Sequence, residues 1–157
     1  MKWQYQRKKG EQMGKTDNEN KKKYLQGYRA SVRRIGRIKA EIDEIRELKT
    51  SISSSASGGY RRSWKGDLSG YAAKLDGMQR QLEAERQARI RLHDEITRAI
   101  NSVPDSQEQD VLFYRYISGL RWWEIAERMQ CSERWVLKLH GDALEHLKIF
   151  EKNSSSS

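Results

Sequence analysis

The chain has 157 residues, with 31 Lys+Arg against 22 Asp+Glu and a formal net charge of +9. Only 36 % of residues are apolar and the mean hydropathy is −0.99, against roughly 45–50 % apolar in ordinary globular chains; this is too little to bury one large core, which argues against a compact single-domain enzyme and for thin helices plus one small packed module. The lone cysteine, Cys131, excludes an internal disulfide framework, no run approaches the 18 apolar residues of a membrane span, and Met1-Lys2-Trp3-Gln4 lacks the apolar stretch of a secretory signal.

Residues 1–21 have no apolar period. Trp3 and Tyr5 stand alone among Lys, Arg, Gln and Gly, so a disordered basic arm is expected. The period starts after Tyr24. Tyr28, Val32, Ile35, Ile38, Ile42, Ile45, Leu48 and Ile52 follow one another at steps of three and four, the seam of a coiled coil, and predict a helix from about Lys22 to Thr50. Residues 51–66 break it with Ser and Gly and read as a flexible loop with a basic-aromatic tip at Tyr60, Arg61, Arg62, Trp64 and Lys65. Asp67 fits the N-cap of a second helix, striped by Leu68, Tyr71, Leu75, Met78 and Leu82. The stripe turns polar at Glu85 and Arg89 and resumes at Leu92, Ile96, Ala99 and Val103. The polar pair could set register or mark a partner surface. Neither stripe can be buried alone, so residues 22–103 are expected to form an antiparallel helical hairpin, pairing with itself or with a second subunit as a homodimer or higher oligomer.

Pro104 ends the hairpin. Asp105 with Glu108, and Ser106 with Gln109, each fit a capping box that opens a new helix. That helix carries Val111, Leu112, Tyr114, Arg115, Tyr116 and Ile117 and stops at Gly119, the residue that takes a left-handed C-cap most easily. A short helix follows over residues 120–129, with Trp122, Ile125, Ala126 and Met129 on one face. Gln130, Cys131 and Ser132 make a three-residue turn, and Ser132 caps a further helix from Glu133 to about Ile149 with Val136, Leu139, Ala143, Leu144 and Leu147 inward. Two short helices, a tight turn and a small Ala126 where they cross describe a helix-turn-helix over residues 104–150; residues 151–157 read as a disordered tail. The fold class expected is thus all-α.

The stretch Arg115-Tyr116-Ile117-Ser118-Gly119-Leu120, then Trp122, Glu124-Ile125-Ala126-Glu127, Met129, Ser132-Glu133-Arg134, Val136, Leu139-His140-Gly141, Ala143-Leu144 and Leu147 resembles the fourth region of bacterial sigma factors. More closely it resembles the small phage and prophage regulators of that type (RinA/ArpU-type late-gene activators). The specific likeness covers residues 104–148. It departs from the family at Arg121, where Ser or Thr is usual, at Trp123, where Glu is usual, and at Gln130, often Gly.

The resemblance implies a DNA-binding transcriptional activator working with host RNA polymerase in a bacterial cytoplasm, with no cofactor and no catalysis. Its recognition helix presents Glu133, Arg134, Leu137 and Lys138, with Trp135 alongside; Arg121, Ser132 and His140 complete the expected DNA-contacting set. Arg134 suits guanine O6 and N7, Glu133 suits cytosine N4, and Leu137 and Trp135 suit thymine methyls. Residues 104–157 hold seven Lys/Arg against nine Asp/Glu, a net −2, whereas residues 1–23 carry eight against three, a net +5. Phosphate neutralisation is therefore assigned also to Arg29, Arg33, Arg34 and Arg37. Three other readings stand beside this one. The helix can face a protein, with Trp123, Trp135 and Leu137 as an anchor patch in an RNA polymerase- or sigma-binding adaptor. A phage DNA-packaging recognition subunit of small-terminase type is the second. An enzyme is the third, disfavoured because His93, His140, His146 and Cys131 have no metal-ligand spacing and no phosphate loop or nucleophile grouping is present.

Overall fold

The computed structural model describes residues 2–55 and 64–149. They form five α-helices and one π-helical segment, with no strand among the described residues: α1 (Lys2–Ser55), α2 (Trp64–Asn101), α3 (Ser106–Leu112), the π-helical segment (Phe113–Ser118), α4 (Trp122–Met129) and α5 (Glu133–His146). The all-α class is as expected. Three boundaries differ. Helix α1 begins at Lys2 rather than near Lys22. It also runs through Ser51–Ser55, because Ser tolerates a helical backbone when its neighbours carry the packing. Helix α2 begins at Trp64, so Asp67 lies inside it and is not its N-cap. The loop tip at Tyr60, Arg61 and Arg62 and the tail at 151–157 lie outside the described residues.

Two compact units divide the chain, and the division does not fall at Pro104. One unit is Ala30–Arg91; the other combines Met1–Arg29 with Leu92–Ser157.

In the Ala30–Arg91 unit, α1 and α2 bury the predicted seam. Ile35, Ile38, Ile42 and Ile45 are 3–6 % exposed and pack with Met78 and Leu82, flanked by Tyr71 and Leu75. Each such burial contributes about 1.5–3 kcal/mol relative to exposure. Leu48 is left 46 % exposed. The polar interruption at Glu85 has a partner: both its carboxylate oxygens lie 3.0 Å from Arg34 Nη1. With Arg34 half exposed, the pair contributes little stability; it fixes which residues of the two helices meet.

In the second unit, α3, the π-helical segment, α4 and α5 pack around two apolar clusters. One joins Leu25 of α1 to Ile96, Ala99, Ile100 and Val103, and to Leu112, Tyr116, Ile117, Ala143, Leu144 and Leu147. The other gathers Val111, Ile125, Ala126, Val136 and Leu139. Two cations of α1 cap helix ends here. Lys21 Nζ donates to the Leu144 carbonyl at 2.9 Å, one of the last carbonyls of α5, which lack intrahelical partners. The Arg29 guanidinium reaches the Ile117 carbonyl at 3.5 Å and occupies the space beside Gly119. Gly119 has φ +76°, a left-handed backbone that favours glycine. Asp105 is the N-cap of α3, accepting from the Gln107 and Glu108 amides, but the expected reciprocal Glu108 contact is absent because that carboxylate turns to His146.

Candidate nucleic-acid interface

The site is built on the turn between α4 and α5. Helix α4 ends at Gln130 in a left-handed conformation, φ 54°. The Cys131 amide closes the turn on the Ala126 carbonyl at 3.0 Å, and Ser132 Oγ caps α5 by accepting from the Trp135 amide at 3.2 Å. At the start of α4, Arg121 offers no side-chain cap; instead Glu124 accepts from the Arg121 amide at 2.6 Å. The left-handed state costs a non-glycine residue about 1–2 kcal/mol. Gln130→Gly is therefore expected to raise stability by about 1 kcal/mol, after its larger unfolded-state entropy offsets part of the gain, and urea denaturation checks this.

Below the turn, Ala126 is 6 % exposed among Ile125, Val136 and Leu139, the small side chain expected at a close helix crossing. Val136, Leu139, Ala143 and Leu144 are buried, and this fixes the inward side of α5. Glu133, Arg134, Trp135, Leu137 and Lys138 are exposed. Their placement around the helix follows from 100° per residue. Arg134, Leu137 and Gly141 follow one another at steps of three and four, and Lys138, four after Arg134, lies beside Arg134 on the same face. Trp135, Lys138 and Asp142 hold one another: Lys138 Nζ lies 4.9 Å over the Trp135 ring and 3.1 Å from Asp142 Oδ2. Trp135 and Leu137, two residues apart, stand about 200° apart on α5, so the expected anchor patch of Trp123, Trp135 and Leu137 does not form one surface.

His140 corrects the expected set. It is 7 % exposed, with Nε2 2.9 Å from the Tyr116 hydroxyl and the Trp122 ring packed on it edge-to-face at 4.9 Å. Burial, then the charges of Lys22 and Arg115, lower its pKa to about 4, and burial raises that of Tyr116 to about 12. A neutral, enclosed imidazole cannot contact a phosphate; it aligns α5 with the π-helical segment instead. Arg115 lies over Trp122 at 4.3 Å and gives Nη1 to the Leu120 carbonyl at 2.9 Å.

The auxiliary cations separate too. Arg29 is held at Ile117 and Gly119, and Arg34 at Glu85, so neither is a free phosphate ligand. Arg33 and Arg37 are exposed, four apart on one face of α1, with no ion-pair partner among the described residues.

A second polar contact went unread in the sequence. His146 Nδ1 lies 2.7 Å from Glu108 Oε2, with the Glu108 side chain 8 % exposed. The hydrogen bond to Glu108, and then its charge, raise the His146 pKa above the ordinary 6.5. The pair's stabilisation is full below pH 6.5 and lost as pH rises through the raised value. Unfolding measured at pH 6 and pH 8 should show the parent weaker at pH 8, and His146→Asn without that difference.

The described residues hold no group of three His, Cys, Asp or Glu placed to bind a metal, and no helix among them is long and apolar enough to cross a membrane. The fold and site define an all-helical protein with an exposed helix mounted on a three-residue turn. The chain belongs to the protein family of unknown function DUF1492, whose model matches residues 49–148. Neither a curated protein nor a solved structure matches it.

Proposed function

We propose that the protein is a sequence-specific, double-stranded-DNA-binding transcriptional regulator of sigma-region-four type, a phage or prophage late-operon activator acting with host RNA polymerase in the bacterial cytoplasm. It carries out no catalysis. The observation that carries the reading is the disposition of α5. Its inner residues Val136, Leu139, Ala143 and Leu144 are locked in the core, while Arg134 and Leu137 are exposed on its N-terminal half, Arg134 with no ion-pair partner among the described residues. A helix so mounted enters a major groove with its first turns against base edges. In the Ala30–Arg91 unit, Arg33 and Arg37 are exposed cations of the kind that neutralise phosphates. The α1/α2 pairing of the Ala30–Arg91 unit supplies the element for homodimerisation or a polymerase contact.

Arg134→Ala is expected to weaken specific binding by roughly 1–3 kcal/mol and to relax preference at one base pair, as read by footprinting beside the parent. One observation favours a second reading, a polymerase- or sigma-binding adaptor with little DNA affinity: Trp123 on α4 is 51 % exposed, the kind of anchor that protein interfaces use. Polymerase pull-down without duplex binding at low salt is the outcome that reading requires.

A further inference from the structure

A groove on the Ala30–Arg91 unit takes no part in the proposed DNA contacts. Its volume is about 430 Å³, within the roughly 300–1,000 Å³ of small-molecule sites, and both helices supply it. Lys39, Asp43 and Arg46 follow one another on α1 at steps of four and three. Gln79, Leu82 and Arg86 follow one another on α2 at steps of three and four. Each set therefore shares one face of its helix. Between them lie Ile42 and Leu82 of the buried seam, which give the groove an apolar base.

Three cations against one acid give the lining a net +2, and little inside the protein uses that charge. Lys39 and Gln79 are exposed, with no hydrogen-bond or ion-pair partner among the described residues. Arg46 meets Asp43 at 3.3 Å and Arg86 meets Glu83 at 3.7 Å. Both are exposed contacts within one helix, worth little and readily exchanged for a stronger acceptor. We infer that this groove is a binding site for a small phosphate monoester, whose phosphate is held between Lys39 and Gln79, Arg46 and Arg86 and whose organic part rests over Ile42 and Leu82. The charge selects the ligand class. A monoester carries about two negative charges near neutral pH and matches the net +2, whereas a carboxylate or a phosphodiester carries one. The two arginines present planar forks that suit phosphate oxygens, and the lysine adds a point charge. Asp43 stands against any larger anionic charge and leaves room for one phosphate group. Because α1 and α2 both contribute donors, the ligand bridges the two helices. The inference does not depend on α5 or on the DNA-binding reading.

The test is isothermal titration of the full chain with phenyl phosphate at pH 7.5, beside benzoate and methyl phenyl phosphate at matched ionic strength. The last is a diester, the form phosphate takes in a nucleic-acid backbone. Phenyl phosphate should bind about ten-fold more tightly than either, the equivalent of one net charge-assisted hydrogen bond. Lys39→Gln and Arg86→Gln should each weaken it by roughly ten-fold on the same ground, with helix content unchanged because both side chains are exposed. Asp43→Asn, which frees Arg46, should bind it more tightly. Lys74→Gln, an exposed cation of α2 outside the groove, should bind it as the parent does. A parent that takes up no phenyl phosphate overturns the inference. So does a diester or benzoate bound equally well, a Lys39→Gln or Arg86→Gln variant with the parent's affinity, an Asp43→Asn variant that binds more weakly, or a Lys74→Gln variant weakened as much as Lys39→Gln.

Discussion

Leu25→Ala is expected to destabilise the C-terminal helices by about 2–5 kcal/mol, the range for emptying a fully enclosed leucine site. Leu25 is 0 % exposed and packs in one cluster with Ile96, Leu112 and Leu144. It therefore supports the apolar side of α5 from 119 positions away in the chain. Thermal unfolding followed by near-ultraviolet circular dichroism of the tryptophans reads the effect, since Trp122, Trp123 and Trp135 all lie on α4 and α5. An autonomous module beginning at Pro104 would unfold as before in the variant. Leu48→Ala, on the same helix but 46 % exposed, should change stability by no more than about 0.5 kcal/mol.

Acid is expected to weaken the same unit through His140. Its pKa is about 4 in the folded protein against an ordinary 6.5, because the imidazole is enclosed beside Tyr116 and Trp122 and faces the charges of Lys22 and Arg115. The unfolded chain binds the proton more readily, so stability is complete above pH 6.5 and declines as pH falls toward 4. A shift of this size corresponds to about 3 kcal/mol. Denaturant midpoints measured from pH 7 to pH 4 should fall in the parent. The fall should be smaller in His140→Gln, which keeps a polar partner for the Tyr116 hydroxyl and does not titrate. His146 acts in the opposite direction, losing its Glu108 contact as pH rises, so the two histidines of α5 together place its greatest stability near pH 6.5.

Much of this architecture was legible in one dimension. The steps of three and four from Ile35 to Ile45 marked the face that is buried. Ser132 before Glu133 marked the start of α5, and Gly119 marked the end of the helical run before α4. Leu25 and Ile100 were also readable, since each extends its stripe by a step of three or four from Tyr28 and Ile96. What could not be read were the contacts set by the path of the chain. Lys21 caps Leu144 across 123 positions and Arg29 reaches Ile117 across 88, and no periodicity encodes such pairings. With Leu25 they join the Lys21–Arg29 stretch of α1 to the C-terminal helices, and they are why Arg29 is not available to phosphate. The π-helical turn at Phe113–Ser118 was missed for a related reason: its residues have ordinary helical propensity. Histidine was the least predictable residue. Nothing local distinguishes His140, enclosed on α5, from His146, six positions later and half exposed; only the rotation of α5 against its neighbours separates them.

The most direct measurement is selection of bound duplexes by the full chain at two salt concentrations, with the parent and Arg134→Ala side by side. Reading by the outer side of α5 predicts a defined motif whose affinity depends only moderately on salt, and a change of preference at one base pair when Arg134 is removed. Binding that falls steeply with salt and enriches no motif, or a motif identical in the two proteins, would contradict it.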